Sequence, residues 1–126
     1  MNWLGASVFA LLSFEEGSPM GIAEAMAVGV PVVASNRCGM PYMVRDGEGG
    51  CLVDPCNPED IARRLQDLLQ GNALRTRMGE KARQFALDRF HPDHMARRTG
   101  DVYERAIGNH RTARPSAASR EAARTW

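Results

Sequence analysis

The sequence predicts an α/β fold, a partial doubly wound (Rossmann-like) parallel sheet followed by carboxyl-terminal helices, and three observations predict it. Short apolar runs at residues 7–13, 30–35 and 50–53 read as strands. A segment rich in Ala, Met and Glu, residues 20–28, separates the first two as a crossover helix does in a βαβ unit. Beyond the third run only helical periodicity remains.

The first run, Ser7-Val8-Phe9-Ala10-Leu11-Leu12-Ser13, lacks alternation and therefore predicts a strand buried on both faces, as parallel strands are. It sits within an apolar stretch, residues 3–14, of signal-peptide length. No Lys or Arg precedes that stretch, and no small-residue cleavage site follows before Glu15 and Glu16. It is also well short of the roughly 20 apolar residues that cross a bilayer. Pro19 introduces the crossover helix and Gly29 ends it. Pro31 opens the second strand, and the turn Asp46-Gly47-Glu48-Gly49 leads into the third.

A helix follows from Asn57, a capping residue, through Pro58, with Glu59 and Asp60 at the positive end of its dipole. Ile61, Leu65, Leu68 and Leu69 give it one apolar stripe before Gly71. Leu74, Met78, Ala82, Phe85 and Ala86 give a second helix ending near Phe90, and Met95, Thr99, Val102, Ala106 and Ile107 suggest a third. Residues 1–107 form the predicted domain. Residues 108–126 carry no stripe and read as a flexible basic tail, with Arg111, Arg114, Arg120 and Arg124 against Glu121.

Composition bounds the function. The chain has 126 residues, 44% hydrophobic and 25% charged, which excludes collagenous, coiled-coil and wholly disordered classes. A net charge of +1 argues against nucleic acid and allows at most peripheral membrane association, so any anion site must be local. Cys38, Cys51 and Cys56 form no CxxC pair, which points to a reducing, cytoplasmic setting. A zinc site joining Cys51 and Cys56 to His91 and His94 has poor spacing; small buried thiols are the simpler reading.

The chemistry concentrates in residues 13–26, Ser-Phe-Glu-Glu-Gly-Ser-Pro-Met-Gly-Ile-Ala-Glu-Ala-Met. This segment leaves the carboxyl end of a strand and opens a helix, where open α/β sheets bind ligands. Gly17 and Gly21 allow close approach to the backbone, and the unpaired first-turn amides around Met20, Gly21 and Ile22 offer donors to a hydroxyl or phosphate. Glu24, about one turn in, has an acceptor-only carboxylate suited to a vicinal diol such as a ribose. Glu16, in the loop before the helix, suits sugar hydroxyls or positive charge developing at an anomeric carbon. A hydrolase using these glutamates as acid and nucleophile requires carboxyl groups about 5.5 Å or about 6.5–9.5 Å apart, a separation that chain spacing does not define.

Glu16 and Glu24, with seven residues between them, lead into Ala25-Met26-Ala27-Val28-Gly29-Val30-Pro31-Val32-Val33-Ala34-Ser35. The series resembles the glutamate-x7-glutamate signature of retaining GT-B glycosyltransferases, specifically glycosyltransferase family four. The likeness continues through Cys38-Gly39-Met40-Pro41, Asp46-Gly47 and Gly50-Cys51-Leu52-Val53-Asp54-Pro55, covering about residues 7–107. It implies the second half of a GT-B carboxyl-terminal domain.

The resemblance assigns Glu24 to the ribose of a nucleotide-sugar donor, UDP- or GDP-linked, and Glu16 to the donor sugar as the catalytic glutamate. Gly17 and the amides near Met20, Gly21 and Ile22 complete the donor site. It implies transfer with retention and without a bound metal. It also implies that the acceptor domain and the first half of the donor domain lie outside this chain, so the chain alone should transfer little sugar. Tyr42 stands where the family usually has a glutamate, and Arg37 and Arg45 are the loop cations nearest the motif. Missing neighbours should leave a sheet edge open to self-association. A sugar-nucleotide epimerase of the same fold and a non-catalytic nucleotide-binding or assembly module are the alternatives.

Overall fold

The structure, a computed structural model, describes residues 5–112. Its elements are β1 (Phe9–Leu11), α1 (Met20–Ala27), β2 (Val32–Ser35), α2 (Met40–Met43), β3 (Gly50–Val53), α3 (Pro58–Gln70), α4 (Asn72–Phe90) and α5 (Pro92–Thr112). The strands are parallel in the order β1-β2-β3, with Phe9 opposite Val32 and Val32 opposite Gly50. The elements through α4 form one unit, Met1–His91, and α5 belongs to a second, Pro92–Trp126.

Successive strand side chains point to opposite faces, so the central strand Val-Val-Ala-Ser feeds two cores. Val32 and Ala34 join Ile22 and Met26 of α1, Met40 of α2, and Ala82 and Ala86 of α4. Val33 joins Cys51 and Val53 of β3, Leu68 of α3 and Met78 of α4. Helices on both faces of a parallel sheet are what the sequence predicts. β1 departs from the prediction: Ala10 is exposed, while Phe9 and Leu11 are half-buried. Among the described strands β1 pairs with β2 alone and is an edge strand, so it lacks the cover that buries β2.

α1 ends in a Schellman turn. The Val30 amide donates to Ala25 O and the Gly29 amide to Met26 O, both at 2.9 Å, with Gly29 at φ +81°. Only a residue without Cβ takes that conformation freely. α4 packs against this turn, and a Cβ on Gly79 would lie 2.2 Å from Gly29 O.

Asn57 caps α3 as predicted, its Oδ1 accepting from the Asp60 amide at 3.1 Å. Leu68 is buried, but Leu69 is 56% exposed, being a step of about 100° further round the helix. Arg75 closes the α3–α4 corner: its Nη1 donates to Leu68 O and Leu69 O, and its Nη2 to Asn72 Oδ1. In α4 the expected Met78, Ala82 and Ala86 are buried, with Leu74 and Phe85 half-buried.

α2 is an element the sequence reading does not anticipate, because its single turn is too short to show a period. α5 continues through Thr112, so residues 108–112 are helical where the tail was expected to begin. The rest of that tail, with Arg114, Arg120, Glu121 and Arg124, lies outside the described residues, as does Trp3. In α5 itself Met95, Val102, Tyr103 and Ile107 are exposed. No helix among the described residues is long and apolar enough to cross a membrane.

Candidate functional site

The carboxyl ends of β1 and β2 lie side by side because the strands are parallel and in register, Leu11 opposite Ala34. Each strand therefore delivers its following loop to the same end of the sheet. After β1 comes the loop 12–19 with Glu16 and Gly17; after β2 comes 36–39, leading to α2.

The first loop is held by the second through its carbonyls. Ser35 Oγ donates to Ser13 O at 2.6 Å, Cys38 Sγ to Phe14 O at 3.6 Å, and the Gly39 amide to Glu16 O at 3.0 Å. Ser35 is fully buried, a polar side chain placed in the core with its hydrogen bond satisfied. Ser18 Oγ contacts Met43 Sδ at 3.5 Å, tying the far end of the loop to α2. Cys38 adopts φ +50°, the only non-glycine described in the left-handed region.

Within this frame Glu16 is half-buried and Gly17 exposed. A Cβ on Gly17 would meet nothing within 4 Å, so that side of the loop is open to a ligand. Gly21 has a packing task as well: a Cβ there would meet the Phe9 ring at 3.4 Å, so Gly21 lies against β1. Ile22 differs from expectation. Its side chain is fully buried and its amide donates to Pro19 O at 3.1 Å, so it contributes to the core rather than to a crevice. Met20 and Gly21 are left to supply first-turn amides. Met20 is 59% exposed, and Glu24, also exposed, lies four residues on along the same helix face.

The loop arginines have partners within the chain. Arg37 bonds Asp54 across the ends of β2 and β3 at 3.2 Å, and Asp54 also accepts from the Cys56 amide at 3.0 Å. Those two bonds, the amide's first, hold the Asp54 carboxyl below its ordinary pKa. Arg45 pairs with Glu48 at 3.6 Å and stacks 5.0 Å above Phe85. Tyr42 is strongly exposed on α2. Burial raises the Cys51 thiol pKa, and among the described residues no three His, Cys, Asp or Glu side chains gather to hold a metal ion. A cleft of about 380 Å³ opens beside Ser7, Pro31, Arg75 and Arg83, at the opposite end of the sheet from the glutamates. Ser35 and Gly39 stand outside the site the sequence predicts; the available signal, for Ser35 alone, is a lone hydroxyl ending an apolar strand.

A family model described as glycosyl transferases group 1 matches residues 3–85. The chain is 40% identical over 109 residues to the D-inositol 3-phosphate glycosyltransferase of Streptomyces bingchenggensis, covering 86% of this chain and 24% of that protein. It spans about a quarter of the length of the curated relatives it matches. Among solved structures, sucrose-phosphate synthase from Thermosynechococcus elongatus superposes with a TM-score of 0.78 at 28% identity, over 85% of this chain and 27% of that one. Anabaena Alr3699/HepE in complex with UDP-glucose superposes with a TM-score of 0.75 over 81% of this chain and 28% of that one; at 22% identity it bears on fold alone.

Proposed function

The chain belongs to the glycosyl transferases group 1 family, and from that premise we propose that it forms the donor-binding portion of a retaining glycosyltransferase acting on a nucleotide sugar, UDP- or GDP-linked. The observation that carries this reading is the paired loop arrangement at the carboxyl ends of β1 and β2. There Glu16 stands on a loop fixed by its neighbour, and Glu24 stands one turn into the helix which that loop opens.

Glu24 accepts from the ribose hydroxyls, a carboxylate's two oxygens matching a vicinal diol. Glu16 lies beside the donor sugar, where a fixed negative charge favours the positive charge that develops at the anomeric carbon as the diphosphate departs. The amides of Met20 and Gly21, at the positive end of α1, meet the sugar or diphosphate. Charge on the leaving group is thus met by amides and by basic side chains supplied elsewhere in the enzyme, without a metal ion. Arg37 and Arg45 are not assigned to it, since each is engaged by an acidic partner. The acceptor is held by another domain, and the enzyme acts in the cytoplasm.

Calorimetric titration with UDP-, GDP- and ADP-sugars tests the reading. One of them should bind, and Glu24→Ala should weaken that binding about tenfold, as loss of a charge-assisted hydrogen bond does. Unchanged affinity removes the ribose assignment. The 126-residue chain should transfer little or no sugar, and robust transfer contradicts the division of labour proposed. The edge position of β1 favours a second reading, self-association through the open strand, which light scattering detects.

A further inference from the structure

We infer that the segment from Ser35 to Gly39 is a positioning element, and that Gly39 lacks a side chain so that the loop bearing Glu16 can lie where a donor sugar needs it. This rests on the donor-site reading for its purpose, but the geometry stands independently. Gly39 has φ −77° and ψ −14°, a right-handed conformation that any residue adopts. Its identity is therefore not set by backbone conformation. It is set by proximity: a Cβ at this position would lie 1.4 Å from Gly17 O, 2.6 Å from Gly17 C and 3.1 Å from Glu16 O. All three are backbone atoms, so no rotamer change relieves the overlap.

The same residue donates its amide to Glu16 O, so attraction and close approach act at one point. Ser35 and Cys38 add donors to Ser13 O and Phe14 O. Carbonyls on both sides of Glu15 are thereby anchored to the end of β2, the fully buried central strand. Away from that contact, a Cβ on Gly17 would meet nothing within 4 Å, so the loop is open on that side. The Glu16 side chain thus stands on a backbone whose position is set from behind by Ser35, Cys38 and Gly39.

Isotope-labelled full-length chain, studied by amide NMR and titrated with UDP-glucose, tests this with Gly39→Ala, Ser35→Ala and Glu24→Ala. Gly39→Ala should shift the amides of residues 14–17, leave those of α3 unmoved, and weaken UDP-glucose binding about tenfold, the scale of one lost charge-assisted contact. Ser35→Ala should speed hydrogen exchange in the same residues with a smaller loss of affinity. Glu24→Ala should weaken binding while leaving residues 14–17 in place. If Gly39→Ala leaves those amides unmoved, or moves them without any loss of affinity, the positioning role is overturned. If Gly39→Ala fails to fold, Ser35→Ala decides alone, and unchanged exchange in residues 14–17 refutes the anchor. A wild-type chain that ignores UDP-glucose and other nucleotide sugars refutes the donor reading, while the amide shifts still decide whether residues 35–39 hold the loop.

Discussion

Replacing Gly79 with alanine sets two effects of known size against each other. Glycine inside a helix is about 1 kcal/mol worse than alanine, so the exchange ordinarily stabilises. Here the new Cβ would lie 2.2 Å from Gly29 O and 3.2 Å from Gly29 C. Contact requires about 3.4 Å, so the two backbones must part by about 1 Å. Gly29 cannot easily retreat, since its positive φ and its amide bond to Met26 belong to the turn that ends α1. Parting them also loosens Met26 against Ala82 and Ala86 in the core beneath.

Overpacking of this kind costs about 1–3 kcal/mol before that loosening is counted. The net effect should be destabilisation by about 1–2 kcal/mol, a fall of roughly 5–10 °C in melting temperature for a domain of this size. Urea and thermal unfolding followed by circular dichroism at 222 nm measure it. Gly100→Ala in α5, where a Cβ meets nothing within 4 Å, is the matched control and should raise helicity. A Gly79→Ala chain as stable as wild type, or more so, refutes the close-packing account of the α1–α4 contact.

Met26→Ala, at a fully buried site, should cost about 2–5 kcal/mol in the same unfolding assay. Thiol titration of the native chain should modify Cys38 and Cys56 readily and Cys51 only on unfolding, because Cys51 is buried and its thiolate is disfavoured there. Asp54, whose carboxyl pKa is depressed in the fold, should titrate by NMR below its ordinary 3.8. Its stabilising contribution is then complete above that ordinary value and disappears as pH falls through the folded one, so wild type and Asp54→Asn should converge in stability as pH falls below that range.

The sheet was legible because each strand is a short apolar run with its own punctuation, Pro31 before β2 and the Asp46–Gly49 turn before β3. Asn57, Pro58 and Gly71 likewise mark both ends of α3 by local chemistry, and the structure places them there. What the sequence could not convey depends on neighbours in space. Leu69 fits the stripe in number yet faces solvent, and Ala10, in the apolar run of edge strand β1, is exposed. Ile22 reads as a crevice donor from position alone, yet its amide is taken by Pro19 O, while Gly21 also packs against the Phe9 ring. Conversely, Gly39 carries no local signal of its task, since its backbone angles are ordinary and only the approach of Gly17 demands it.

The exposure of Tyr42 on α2 has a spectroscopic consequence. The chain contains two tyrosines, Tyr42 in the first unit and Tyr103 in the second, both turned to solvent. Biosynthetic labelling with fluorotyrosine should therefore yield one fluorine resonance for each unit. The Tyr42 line, one turn from Gly39, would register events at the glutamate loop, and the Tyr103 line would follow α5 separately in the same sample.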